Sequence, residues 1–492
     1  MSFTAKPLCP PAHSALFTDF YELTMAQGYW KNHMDSTAVF DMFFRRQPFE
    51  GGFSILAGIE PLIDALTSFS FSEEDIAYLE SLNFFEKDFL TYLASFRFSG
   101  TVYAMDEGSV IFPNEPLIRV HANLIEAQII EGLVLNTINF QSLIATKTAR
   151  VWLASKKGRI MEFGLRRAQG NDGALSASRS AYIGGASGTS NTLAGKLYGI
   201  PVQGTMAHSW IMSFPTELEA FEAYADLYKD KSVFLIDTYD TLNSGIKNAI
   251  TAGKKLTEQG YNFGVRLDSG DIQYLAAEVR KQLDKAGLPD AFITVSNELT
   301  EEIIENLLLQ NAPINSWGVG THMVTGGNEA SFTGVYKLCS RMDTKTHKNV
   351  TAMKFSDNPD KTTNPGIKNV WRLYDKDGSA KADILALSDE VLHTDIETTF
   401  YHPSGDYRQF SFSPSAIEPL LKKRIENGKR TGKSRDPEST LKESRLTMIQ
   451  QLETFDKTYK RLLNPHVYKV SITEKLKNLK LEHIQNRIHQ QN

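Results

Sequence analysis

Between Arg159 and Val319 short apolar segments alternate with longer helical ones, and this rhythm restricts the fold more than any other feature of the chain. Arg159–Phe163, Pro201–Thr205, Val233–Ile236, Phe263–Leu267, Phe292–Val295 and Ser316–Val319 read as strands. Leu218–Tyr228, Thr241–Glu258, Ile272–Ala286 and Thr300–Gln310 read as helices between them. Strands that recur at roughly 25 to 40 residues with helices in between are βαβ units, and their strands run parallel. Six such units predict most of a (β/α) barrel; spacing alone leaves an open doubly wound sheet as the alternative.

The flanks read differently. Upstream, Asp19 followed by Glu22 is a capping-box variant opening a helix through Phe20, Leu23, Met25 and Tyr29. Ala38–Phe44, Thr101–Met105 and Leu117–Val120 are strand-like, and Leu124–Leu135 and Phe140–Ser155 are helical. Downstream, Val335–Leu338, Val370–Leu373 and Ile384–Leu387 read as strands, and Ser444–Thr454 and Ile472–Lys477 as helices. The expected organisation is an N-terminal α+β domain over 1–140, a barrel-like catalytic domain over 141–335, and a C-terminal segment over 336–492 packing with the N-terminal domain. Lys422–Arg435 holds seven basic residues against Glu426 and reads as a solvated loop. Its Gly428–Ser434 stretch is one residue short of a Walker A loop and lacks the preceding apolar strand.

Composition narrows the function classes. With 41% hydrophobic residues the chain can build a large core, which excludes disorder. Its net charge of 53 − 58 = −5 argues against a nucleic-acid binder. Cys9 and Cys339 cannot form a disulfide framework and point to a reducing compartment. The first residues lack the apolar core of a secretory signal, and no apolar run approaches a membrane span. The expected setting is cytoplasmic, with neither membrane nor nucleic acid as partner.

Chemistry gathers at the strand ends. Leu165-Arg166-Arg167 follows the first strand, Ala207-His208-Ser209 the second, Asp237 and Asp240 the third. Arg266 and Asp268-Ser269-Gly270-Asp271 close the fourth, Ser296-Asn297 the fifth, and Gly320-Thr321-His322 the sixth. In parallel α/β folds these carboxyl ends share one rim, where ligands bind. Arginine forks suit carboxylate or phosphate, and Gly318-Val319-Gly320-Thr321 lets backbone N–H groups approach phosphate oxygens. Asp268 and Asp271 are hard oxygen donors suited to Mg2+ on a phosphorylated substrate.

Gly164–Gly170, Gly204–Ser209, Gly264–Asp271 and Gly318–Thr321, with Thr18–Met25 upstream and Gly334–Leu338 downstream, closely resemble the nicotinate phosphoribosyltransferases, a type II phosphoribosyltransferase family. The resemblance implies an irregular (β/α) barrel with a flanking α+β domain built from the N-terminal and C-terminal segments, working as a head-to-tail homodimer with shared active sites. It implies formation of nicotinate mononucleotide and diphosphate from nicotinate and 5-phosphoribosyl 1-diphosphate, with Mg2+ as cofactor and ATP as co-substrate. His208 would be phosphorylated by ATP, and Asp237 would hydrogen-bond its imidazole. Arg266 would bind phosphate or the nicotinate carboxylate, with Asp268 on the ribose or metal. Arg166, Thr205 and Ser209 would complete the anion pocket, and Gly318, Gly320 and Thr321 would cradle the 5′-phosphate. Phe163 and Tyr21 would sandwich the pyridine ring, Tyr21 and Asp19 coming from the second subunit. Relatives that use nicotinamide place an acid where this chain has Ser190, which favours the acid substrate here. The competing readings are a nicotinamide or quinolinate enzyme, and an inactive homologue that senses phosphoribosyl ligands.

Overall fold

The computed structural model describes residues 15–356, 361–432 and 436–491; Cys9 lies outside the described residues, as does part of the Gly428–Ser434 stretch. Two compact units emerge: Ile144–Ala330 with Pro437–Arg445, and Met1–Leu143 with Ser331–Asp436 and Leu446–Asn492.

The first of these units is built on six parallel strands. They are β1 (Arg159–Glu162), β2 (Gly188–Thr189), β3 (Val233–Leu235), β4 (Gly264–Leu267), β5 (Phe292–Val295) and β6 (Ser316–Val319). Their order in the sheet is β2-β1-β6-β5-β4-β3, so the first strand pairs with the last. That is barrel connectivity, and the mixed α/β class expected from the alternation holds. Phe234, Leu235, Val265, Leu267, Ile293, Val295, Trp317 and Val319 are buried, as in a parallel sheet covered on both faces.

Pro201–Thr205, expected as a strand, is not one. Only a single parallel bridge joins Val202 to Thr189. Pro201 has no N–H to donate, and beyond Gln203 the backbone leaves the sheet before the short helix His208–Met212. Among the described residues no ladder links this stretch to β3, so the ring is interrupted there. Side chains at the strand ends also start the following helices. Asp271 accepts from the Tyr274 N–H at 3.1 Å to cap Ile272–Lys285, and Asp240 accepts from Leu242 and Asn243.

The second unit holds two sheets. Thr37–Phe44, Thr101–Ala104, Ile118–Asn123, Gly334–Met342, Asn349–Thr351, Lys422–Glu426 and Lys429–Arg430 form one. Lys368–Tyr374, Ala380–Leu387, Thr398–His402, Gly405–Phe412, Ala416–Pro419 and Lys469–Ile472 form the other. The basic run expected as a solvated loop is therefore largely a β-hairpin. Its charges find acids far upstream: Lys422 and Arg424 both meet Asp106, and Arg430 reaches Glu60 at 2.7 Å and Asp64 at 2.6 Å.

Three local expectations also change. The helices near residue 130 are Leu124–Ile129 and Glu131–Ala154, broken at Ile130 rather than after Leu135. Together they are long and apolar enough to cross a membrane by length and composition, although 61% of the most apolar window is buried inside the protein. Ile472 ends a strand, and the last helix starts at Glu474. Asp19 is the N-cap of Phe20–Lys31 but makes no side-chain capping bond. Glu22 instead turns inward, fully buried, and accepts from the Thr18 hydroxyl.

Candidate active site

Three polar side chains, Arg266, Asp268 and His208, meet where β4 ends. Arg266 projects from the strand itself, and its Nη2 lies 3.7 Å from Oδ2 of Asp268. His208, first residue of its helix, brings Nε2 to 3.9 Å from the same oxygen. Arg266 also donates through Nη1 to the Thr205 hydroxyl and, at 3.3 Å, to the Met206 carbonyl. Thr205, His208, Arg266 and Asp268, separated by up to 63 positions, thus share one cluster. The guanidinium side chain is only 15% exposed, whereas the imidazole is 42% exposed. Burial pulls the Arg266 pKa down from its ordinary value, Asp268 and Asp237 pull the other way, and Arg166 adds repulsion. Arginine remains charged under such a pull, so the cluster presents a fixed cation to an incoming anion.

Asp237 does not bind the imidazole. Its Oδ2 accepts from the Asp268 N–H at 3.1 Å and from the Ser269 hydroxyl at 2.6 Å, so it shapes the turn after β4. The imidazole instead meets Thr238, whose Oγ1 lies 3.1 Å from Nδ1. Two polar atoms here are buried without a hydrogen-bond partner, Oδ1 of Asp237 and Nε of Arg266. A ligand oxygen and a cation are the groups that would complete them.

Phe163 extends β1 by donating its N–H to the Val319 carbonyl at 2.8 Å. Its ring lies directly against Gly318: a Cβ placed there would sit 2.7 Å from the ring and 3.2 Å from Cβ of Ser296. Only glycine permits that approach. Gly320 passes the Phe163 carbonyl closely, and Thr321 donates to Glu298 at 3.3 Å. Arg166 is exposed in the turn Leu165–Arg167, and Ser209 lies beside His208 in the same helical turn. The Ser190 N–H donates to the Glu162 carbonyl at 2.9 Å, just past β2. Asp271 spends one oxygen on its helix cap. Asp19 and Tyr21 belong to the other unit, where Tyr21 is 48% exposed. Partial burial and then the neighbouring Glu131, Glu22 and Asp19 push its hydroxyl up to about 12. Among the described residues no group of three or more His, Cys, Asp or Glu forms a metal cluster.

Sequence reasoning missed four participants. Ser296 donates to Oδ1 of Asp268, and burial raises the Tyr224 hydroxyl pKa while the nearby Arg266 cation opposes the rise. Thr238 meets His208, and buried Glu162 accepts from Ser178 at 2.9 Å and from Thr189 at 2.5 Å. Ser296 was visible as a strand-end hydroxyl and Glu162 as an acid inside an apolar run; Tyr224 carried no signal beyond helix spacing.

The sequence and the fold are similar to those of known proteins. The sequence matches family profiles described as the nicotinate phosphoribosyltransferase N-terminal domain over residues 16–139, the nicotinate phosphoribosyltransferase family over 158–400, and the C-terminal domain over 367–480. Nicotinate phosphoribosyltransferase of Bacillus subtilis is 42% identical across 79% of this chain and 79% of its own length. The Homo sapiens protein of the same name is 34% identical across 97% of this chain and 98% of its own. The crystal structure of human nicotinic acid phosphoribosyltransferase superposes with a TM-score of 0.82 and 31% identity, covering 94% of this chain and 99% of that one. Motifs, strand-end cluster and matched length agree: the chain belongs to the nicotinate phosphoribosyltransferase family.

Proposed function

We propose that the chain transfers the phosphoribosyl group of 5-phosphoribosyl 1-diphosphate to nicotinate, releasing diphosphate and forming nicotinate mononucleotide for NAD salvage in the cytoplasm. The observation that carries this reading is the convergence of His208 and Arg266 on one oxygen of Asp268. Diphosphate leaves C1 of the ribose, positive charge builds on the sugar, and the pyridine nitrogen attacks from the opposite side. The protein's task is to hold the anions, place the ring and exclude water. Arg266 binds phosphate or carboxylate, with Arg166, Thr205 and Ser209 around it. Gly318, Gly320 and Thr321 receive the 5′-phosphate. Phe163 forms one wall for the pyridine ring, and Asp19 and Tyr21 of the partner subunit form the other in a homodimer. With Ser190 in place of an acid, nothing at that position repels a nicotinate carboxylate.

ATP enters as co-substrate. Its γ-phosphoryl group passes to His208, a neutral imidazole nitrogen being a competent nucleophile. The acids available to Mg2+ are Asp268, Asp237 through its unpartnered Oδ1, and Asp271 through the oxygen its cap leaves over. When bound, the ion neutralises charge on the leaving diphosphate.

The deciding experiment measures product from 5-phosphoribosyl 1-diphosphate with nicotinate or nicotinamide, with and without ATP. Turnover of nicotinate that ATP accelerates is expected. A preference for nicotinamide would overturn the substrate, and indifference to ATP together with the absence of acid-labile ³²P on the protein would overturn the phosphohistidine.

A further inference from the structure

We infer that Thr238 is a positioning residue that selects which nitrogen of His208 reacts. This rests on the phosphohistidine reading and extends it to a residue on the next strand's turn. Thr238 Oγ1, 3.1 Å from Nδ1, is the imidazole's hydrogen-bond partner. The carboxylate one residue earlier is committed elsewhere, because Asp237 Oδ2 already accepts from Asp268 and Ser269. Among the described residues Nε2 makes no hydrogen bond; it faces Asp268 Oδ2 at 3.9 Å, the oxygen that Arg266 also approaches.

A neutral imidazole has one N–H and one lone pair, and the bond made by one nitrogen decides the state of the other. With Nδ1–H donating to the Thr238 oxygen, the lone pair is on Nε2, open to the cluster and able to attack phosphorus. In the step that follows, the Nε2–P bond forms while the bond from the γ-phosphorus to its bridging oxygen breaks. The bond's electron pair leaves on ADP. Nδ1 keeps its proton throughout, so the ring becomes cationic and its N–H bond to the threonine oxygen strengthens as charge develops. With a neutral hydroxyl on this side, the Asp268 carboxylate stands on the phosphoryl side, where Arg266 offsets its charge.

The test uses the full-length protein, γ-³²P-labelled ATP and separation of the two phosphohistidine isomers after alkaline hydrolysis. Wild type is expected to carry Nε2-phosphohistidine. Thr238→Val, which keeps the shape and removes the acceptor, is expected to label about tenfold more slowly and to yield a share of the Nδ1 isomer. Thr238→Ser is expected to restore both rate and isomer. Unfolding curves for both variants separate loss of the bond from loss of the fold, which would change the rate but not the isomer. Nδ1-phosphohistidine in wild type, or a folded Thr238→Val protein with unchanged rate and isomer, would overturn the inference alone. Absence of any acid-labile label in wild type would overturn it together with the phosphohistidine itself.

Discussion

The hydroxyl of Ser296, at the end of β5, donates to Oδ1 of Asp268 at the end of the adjacent β4. That bond fixes the carboxylate rotamer, and Oδ2 is thereby presented to both His208 and Arg266. Ser296→Ala should leave Asp268 free to turn. The expected loss in kcat/KM for 5-phosphoribosyl 1-diphosphate is about tenfold, the usual worth of one hydrogen bond to a charged group. Steady-state kinetics with unchanged thermal unfolding would support this; an unaltered kcat/KM would refute it.

Gly318→Ala places a methyl group where the Phe163 ring lies. Because the added carbon meets the ring and Ser296, the ring must swing away, at a cost of about 1–3 kcal/mol typical of overpacking. The KM for nicotinate should rise more than the KM for 5-phosphoribosyl 1-diphosphate. An equal rise in both would place Phe163 away from the pyridine.

Glu301 sits between Lys147 Nζ at 2.5 Å and Arg150 Nε at 2.9 Å, all three buried. Burial alone would raise the carboxyl pKa, but Lys147 and Arg150 outweigh it and hold the carboxyl below its ordinary value. A carboxylate depressed in the folded state stabilises above its unfolded pKa, and that contribution is lost as pH falls through the folded one. Glu301→Ala should cost about 3–5 kcal/mol at pH 7, since buried cations lose their counter-charge. Denaturant titrations from pH 7 to pH 3 should show the difference between variant and wild type shrinking in acid.

Glu22 behaves oppositely. Burial, with added repulsion from Glu131 and Asp19, raises its pKa to about 7 despite the Thr18 hydroxyl. An acid raised on folding costs nothing while both states are protonated. Its penalty grows as pH climbs from the unfolded pKa and is complete above the folded one. Glu22→Gln should therefore raise the Tm above pH 7 and leave it unchanged near pH 4. A Tm gain that is equal at both pH values would refute the assignment.

Mixing Tyr21→Ala with His208→Ala subunits tests the shared site. Hybrid dimers would contain one intact centre, so activity should recover to about one quarter of wild type under random exchange. No recovery after verified exchange would place both residues in the same subunit's site.

Five of the six expected strands were readable because parallel strands bury both faces and so stand out as apolar runs. The bounds of Phe292–Val295 and Ser316–Val319 agree with the structure, whereas the two-residue strand Gly188–Thr189 was not expected. Pro201–Thr205 looked the same in one dimension, yet a proline and a single neighbour reduced it to one bridge. The hairpin in Lys422–Arg435 was hidden because the acids that neutralise it lie more than 300 positions upstream. Asp237 and Thr238 show the finest limit: adjacent residues exchange partners according to one turn of backbone, which periodicity does not encode.

The interruption of the ring falls just where the imidazole is carried. Residues 204–207 donate no backbone hydrogen bond to a neighbouring strand, while β4 and β5 on the opposite arc are laced together along their length. The stretch leading into the imidazole is therefore tied down by a side chain instead of a ladder, Arg266 holding the Thr205 hydroxyl and the Met206 carbonyl. With no ladder across 204–207, amide exchange there should run ahead of exchange in the strands that hold the guanidinium.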